Sequence, residues 1–218
     1  MRQVDIGKIY YVLEQEVSKL KAPIVDLVKI QTKDPFKVLL ATILSARTKD
    51  QATSDAAFRL FQKINKPNDL NKLSLGEIEK LIYPVGFYRN KAKFLKELPI
   101  VLDKEFKGVL PETIEELVRL PGVGRKTANL VVVIGFDKPG ICVDTHVHRI
   151  MNRFGYLKTR NPLETEMTLR KKLPEKYWLR INSLLVAYGQ TLCMPISPWC
   201  SKCKIKSYCN QIGVGKTR

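Results

Sequence analysis

Between Asp5 and Gly189 the apolar residues of this chain return at three- and four-residue intervals, in one stretch after another. That period lays them along one face of an α-helix, and no segment keeps the two-residue alternation of a half-buried strand. In "DPFKVLLATILSART", residues 34–48, Asp34 stands as an N-cap and Pro35 at the first helical position. Phe36, Leu39, Leu40, Ile43 and Leu44 then follow at helical spacing. "SLGEIEKLI" offers a capping box, Ser74 with Glu77 three residues on. The same spacing predicts helices over 5–20, 50–64, 90–106, 112–119, 125–135, 145–154, 162–172 and 175–189. "LVVVI" at 130–134 is rich in β-branched residues, but its flanks make it part of a helix. Pro and Gly fall between helices, at Pro84-Val85-Gly86 and Pro121-Gly122, as turn punctuation. The expected fold class is all-α, and 218 residues allow one large domain or two small ones.

Charge narrows the partners. Thirty-eight Lys and Arg against 21 Asp and Glu leave a net +17. A generally basic surface would explain the excess without function. A polyanion partner explains it better, because neutralising phosphates releases counterions and gives sequence-independent affinity. No apolar run reaches the roughly 20 residues of a membrane span, and no signal-peptide pattern opens the sequence. The expectation is an intracellular protein with no membrane contact.

"LPGVGRKTA", residues 120–128, has the glycines, lysine and threonine of a phosphate-binding loop. A nucleotide-binding P-loop places G-x-x-x-x-G-K-[ST] between a strand and a helix. Here Arg125 separates Gly124 from Lys126, and the preceding "PETIEELVRL" is amphipathic helix. Both spacing and context fail. What remains is two helices joined by a Pro-Gly-Val-Gly hairpin, with Gly122 and Gly124 able to take positive φ. Such a hairpin either serves as a tight connector or offers backbone N–H groups to one DNA phosphate, and the +17 charge favours the phosphate. Lys126 sits where the helix dipole disfavours a cation, and partial burial would depress its pKa further. It is a candidate nucleophile or a plain phosphate contact; spacing does not separate the two.

Asp144 in "CVDTHVHRI" precedes a helical run, as N-caps do, and is a candidate carboxylate partner for Lys126. His146 and His148, the only histidines, stand two apart and point to different faces, which argues against a shared ion. Cys142 in "GICVD" reads as a small buried hydrophobe. The other four cysteines, Cys193, Cys200, Cys203 and Cys209, are spaced C-x6-C-x2-C-x5-C. One C-x2-C knuckle is fewer than a structural zinc usually has, and the spacing matches neither ferredoxin pattern. A four-thiolate metal site follows, with zinc and iron–sulfur both open. Lys202, Lys204 and Lys206 lie among these cysteines, as a solvated face or as a route to a phosphate backbone.

"LPGVGRKTAN", then "VDTHVHR", then the C-terminal cysteines, in that order, resemble endonuclease III. That family comprises helix-hairpin-helix DNA glycosylases that are also abasic-site lyases. The resemblance runs from about residue 20 to residue 210. It implies two all-α lobes with duplex DNA in the cleft between them. One, a six-helix barrel, takes residues 25–136 and contains the hairpin. The other joins 1–24 to 137–218 and carries a four-iron four-sulfur cluster on the four cysteines. The resemblance places the catalytic lysine on Lys126 and the catalytic aspartate on Asp144. DNA contacts are implied at Gly122, Val123, Gly124, Arg125, His146, Lys202 and Lys204, with a monomer acting on the chromosome in the cytoplasm.

The implied chemistry starts with flipping, because a damaged base cannot be reached inside a duplex. Breaking the glycosidic bond builds positive charge on the sugar, which Asp144 stabilises. Lys126 attacks C1′ to give a Schiff base, and loss of the 2′ proton then eliminates the 3′ phosphate. An oxidised pyrimidine is the implied substrate. Arg47 and Phe87 fall where the family fills the hole left by the flipped base. Arg47 replaces the family's usual glutamine, and "MPISPW" lacks the basic residues common between the first two cluster cysteines. The related adenine glycosylases typically have serine where Lys126 stands and a glutamate at Thr42, so they resemble this chain less. A non-catalytic DNA-binding module would need neither Lys126 nor Asp144. If several phosphates are contacted, a log–log plot of duplex affinity against salt should fall with a slope of several units; a nearly flat plot would contradict the reading.

Overall fold

The computed structural model describes residues 3–17 and 32–218, and they form an all-helical protein with no strand among them. Residues 18–20 of the first expected helix and the expected lobe boundary at 24/25 lie outside the described residues. The chain divides into two compact units, Ile24–Gly140 and Met1–Pro23 with Ile141–Arg218.

The continuous unit holds six helices among the described residues: α1 Pro35–Ser45, α2 Asp50–Phe61, α3 Leu75–Ile82, α4 Tyr88–Phe106, α5 Ile114–Leu117 and α6 Arg125–Leu130. Local chemistry sets their starts. Asp34 accepts from the Phe36 N–H at 2.8 Å with Pro35 at the first position, and Ser74 and Glu77 close their capping box. Leu39, Leu40, Leu44, Leu60, Ile78, Ile82, Leu95 and Leu98 meet in one core, each with no solvent exposure. After Leu130 the helix loosens into a π turn over Val131–Gly135, so "LVVVI" is helical as expected.

Three long cations finish helix ends that the sequence leaves open. Lys96 donates to the carbonyls of Asn71 at 3.1 Å and Leu73 at 2.7 Å. Arg59 donates to the carbonyls of Leu81 and Tyr83. Lys91 does the same beyond the end of α1. The last four carbonyls of any helix lack intrahelical partners, and a basic side chain there also opposes the dipole.

Three expected helices are shorter than their spacing suggests, one of them 50–64, which stops at Phe61. The 34–48 stretch stops at Ser45, because Arg47 turns to φ +52° and the carbonyls beyond the helix go to Lys91. The 112–119 stretch keeps only the turn Ile114–Leu117, capped by Thr113, before Pro121.

The second unit is built on α7 Ile6–Val17, α8 Thr145–Phe154, α9 Pro162–Lys172 and α10 Trp178–Thr191. Ile9, Leu13, Ile150, Leu169, Ile181, Leu185 and Tyr188 form its core with no exposure. Truncating a filled core site leaves a cavity, so Leu60→Ala should lower stability by about 2–5 kcal/mol. Leu163→Ala, at an exposed position, should stay within about 0.5 kcal/mol. Chemical denaturation of the two variants checks the contrast.

Candidate functional site

Leu117–Gly124 builds the hairpin. The Val123 N–H donates to the Leu120 carbonyl at 3.2 Å, closing a turn that buries Val123. Gly122 takes φ +73°, and a Cβ there would lie 2.5 Å from the Phe94 ring, so both conformation and contact require glycine. Gly124 differs from expectation. It is extended at φ −89°, acts as N-cap of α6, and faces open space. Arg125 is half-buried and Lys126 exposed in the first turn of α6. The first turn of α6 thus presents Lys126 to solvent while Ala128 on the next turn enters the core.

Asp144 is the N-cap of α8. Its Oδ1 accepts from the N–H groups of His146 at 2.8 Å and Val147 at 2.9 Å. The cap holds the carboxylate at a fixed helix start. His146 and His148 part as expected: His146 Nδ1 meets Arg149 at 3.2 Å, and His148 Nδ1 meets Thr165 at 2.7 Å.

The four clustered cysteines line one small cavity together with Arg153, Phe154, Tyr188 and Pro198. Tyr188 Oη donates to Cys203 Sγ at 3.1 Å, and the Gln211 N–H to Cys209 Sγ at 3.3 Å. Arg153, 8% exposed, donates to the carbonyls of Met194 and Pro195 at 2.6 Å each and to Cys193 Sγ at 3.5 Å. Burial pushes the thiols of Cys200, Cys203 and Cys209 up, that of Cys209 to about 11. Crowded, desolvated thiolates need a compensating positive centre. Among the described residues no three His, Cys, Asp or Glu stand grouped closely enough to hold a metal ion. Cys142 is buried apart from them, as expected of a small hydrophobe. Lys202, Lys204 and Lys206 are exposed, and Lys202 lies 4.6 Å from the Trp199 ring.

Arg47 and Phe87 come together across two loops. The Arg47 guanidinium lies 5.5 Å from the Phe87 ring centre, and Phe87 is 60% exposed, too open for a core aromatic. Both residues are left-handed, at φ +52° and +58°. Such non-glycine positions cost of order 1–2 kcal/mol each and persist only where surroundings impose them.

Sequence reasoning missed what imposes them. Lys91 is 5% exposed, and its Nζ donates to the carbonyls of Leu44 and Ala46 at 2.7 Å each and to Thr48 Oγ1 at 3.1 Å. Burial lowers its pKa to about 8. Thr48 Oγ1 also accepts from the Gly86 N–H at 3.0 Å, and a Cβ on Gly86 would stand 2.5 Å from the Arg47 carbonyl oxygen. One signal was available: Lys91 falls on the same helical stripe as Leu95, Leu98 and Leu102, where a lysine is out of place. Thr42, the position of the rival's glutamate, is buried and donates to the Val38 carbonyl at 2.7 Å.

The comparisons agree with this geometry. The family described as HhH-GPD superfamily base excision DNA repair protein matches residues 40–175. Endonuclease III of Thermotoga maritima is 47% identical over 81% of this chain and 83% of its own length. Endonuclease III homolog 2, chloroplastic, of Arabidopsis thaliana is 45% identical over 80% of this chain, which spans 47% of that longer protein. A solved structure of a trapped endonuclease III–DNA covalent intermediate, an estranged-adenine complex, superposes with a TM-score of 0.83. It is 34% identical, and the match covers 96% of this chain and 97% of that one. With the hairpin, the capped aspartate and the thiol-lined cavity in place, the chain belongs to the HhH-GPD superfamily of base excision DNA repair proteins.

Proposed function

We propose that this chain removes oxidised pyrimidines from duplex DNA and then cuts the strand at the resulting abasic site. The observation that carries the reading is Lys126, exposed in the first helical turn after the Gly122-Val123-Gly124 hairpin, in a chain 47% identical to an endonuclease III. An amine on that turn is placed to meet a sugar while the hairpin N–H groups hold a neighbouring phosphate. Lys126 Nζ bonds to C1′ as the base leaves with the glycosidic electron pair. Asp144, fixed by its two cap bonds, stabilises the positive charge that develops on the sugar. The nitrogen then gives up a proton and its lone pair expels the ring oxygen O4′, which takes up a proton, and the resulting iminium makes the 2′ proton acidic. Its loss forms the 2′–3′ double bond and expels the 3′ phosphate.

Arg125, His146, Lys202 and Lys204 are the further phosphate contacts we assign, with Arg47 and Phe87 filling the stack left by the flipped base. Arginine only donates, and guanine offers O6 where adenine presents an amino group, so lesions opposite guanine should be favoured. Cys193, Cys200, Cys203 and Cys209 would hold a four-iron four-sulfur cluster, which when bound would cross-link residues 193–209 to one another beside Arg153 of α8 and Tyr188 of α10. The two units correspond in this reading to a six-helix barrel and a cluster lobe. Among the described residues no helix is long and apolar enough to cross a membrane. We place the protein on chromosomal DNA in the cytoplasm, acting as a monomer.

Incubation with duplex DNA containing an oxidised pyrimidine, followed by borohydride, should trap a covalent adduct. Lys126→Ala should abolish it while leaving binding largely intact; a wild-type level of adduct in the variant would refute the assignment. Metal analysis should find about four irons per chain and a visible absorption band. About one zinc and no iron would mean a different centre. Arg47→Gln should flatten the excision ratio across the four opposite bases, a difference worth at most about 1–3 kcal/mol.

A further inference from the structure

We propose that Lys91 is a positioning residue for base displacement: its buried ammonium clamps the turn carrying Arg47 to the start of the helix carrying Phe87, so that both side chains enter the duplex as one wedge. The proposal rests on the reading that Arg47 and Phe87 fill the gap in the stack.

An ammonium has three donors, and here all three find acceptors on one short segment, Leu44, Ala46 and Thr48. Nothing about helix packing asks for this. Lys91 stands on the apolar stripe of α4, where methionine or leucine would fill the core without the desolvation of a charge. What the charge adds is a hold on a loop forty-odd residues away, at the point where that loop leaves α1.

The hold is doubled by Thr48, whose hydroxyl also receives the Gly86 N–H at 3.0 Å. Gly86 lets the Arg47 backbone come closer than any Cβ would allow. Lys91, Thr48 and Gly86 thus form a bridge between the two turns, and the residue beside each end of it is left-handed and exposed: Arg47 on one side, Phe87 on the other. Their ring and guanidinium stand 5.5 Å apart. A wedge that pushes a base out must itself resist being pushed back, and two long side chains on separate loops do so only if the loops move together.

The test compares two reactions of the full chain. Single-turnover excision of an oxidised pyrimidine from a duplex needs the wedge; cleavage at a pre-formed abasic site in single-stranded DNA has no stack to open. Lys91→Met should slow the first by about 10- to 100-fold and leave the second within about twofold, with Lys91→Arg recovering part of the loss. Thr48→Ala, which keeps the buried lysine, should shift the same ratio in the same direction by a smaller factor, and it decides the matter if Lys91→Met does not fold. Equal loss of both reactions in Thr48→Ala, or a duplex rate unchanged in a folded Lys91→Met, would overturn the proposal. Phe87→Ala is run alongside. If it excises at the wild-type rate, the assignment of Phe87 to the wedge is wrong, an outcome separate from a slow Phe87→Ala beside an unaffected Lys91→Met.

Discussion

An α-helix ends with four N–H groups and four carbonyls that it cannot pair itself, and in a protein made of helices those ends are where polar chemistry concentrates. Four of the candidate site residues lie there. Lys126 follows the N-cap Gly124, Asp144 is itself an N-cap, Arg47 lies just past a C-terminus, and Phe87 precedes the first turn of α4. The molecule solves each end differently. A carboxylate serves at Asp34 and Asp144, a hydroxyl at Ser74, and buried or half-buried cations at Lys91, Lys96 and Arg59. The capping bonds that stabilise the helices therefore also fix the side chains to which we assign function.

The C-terminal segment obeys a different constraint. It carries short 3₁₀ and turn structure after Thr191 and contributes only Ile205 as a fully buried apolar residue. So little apolar burial rarely holds a segment of that length. The four thiols gathered round one cavity supply the alternative, with Arg153 and Tyr188 reaching in from helices of the unit's core. Arg153 binds the backbone of the very loop, "MPISPW", that carries no charge of its own. The segment is tied to the helices by polar bonds to its backbone and sulfurs as well as by Ile205 in the unit's core.

Much of this was legible in the sequence, and the reason is range. Helical periodicity, the Asp34 cap, the Ser74–Glu77 box and the Asp144 cap depend on residues within four positions of each other, so composition and spacing expose them directly. The hairpin and the cysteine spacing are local as well. Where periodicity overreached, at 46–48 and 118–119, tertiary partners or a coming proline ended a helix that the apolar pattern alone would have continued.

The rest depended on which distant groups meet. Lys91 is one of 38 basic residues; its place on an apolar stripe sets it apart, but that it reaches Leu44, 47 positions away, is a property of the fold. The stacking of Arg47 on Phe87, the close approach at Gly86, and the exposure of Lys126 are likewise set by loops brought together from separate parts of the chain. By itself, then, the sequence determined the helices, their caps and the residue types available for chemistry, because those follow from neighbours a turn away. Which lysine is buried, which is presented, and which two side chains act as a pair was decided only in the tertiary structure, because desolvation and contact belong to the assembled surface and not to any stretch of the chain.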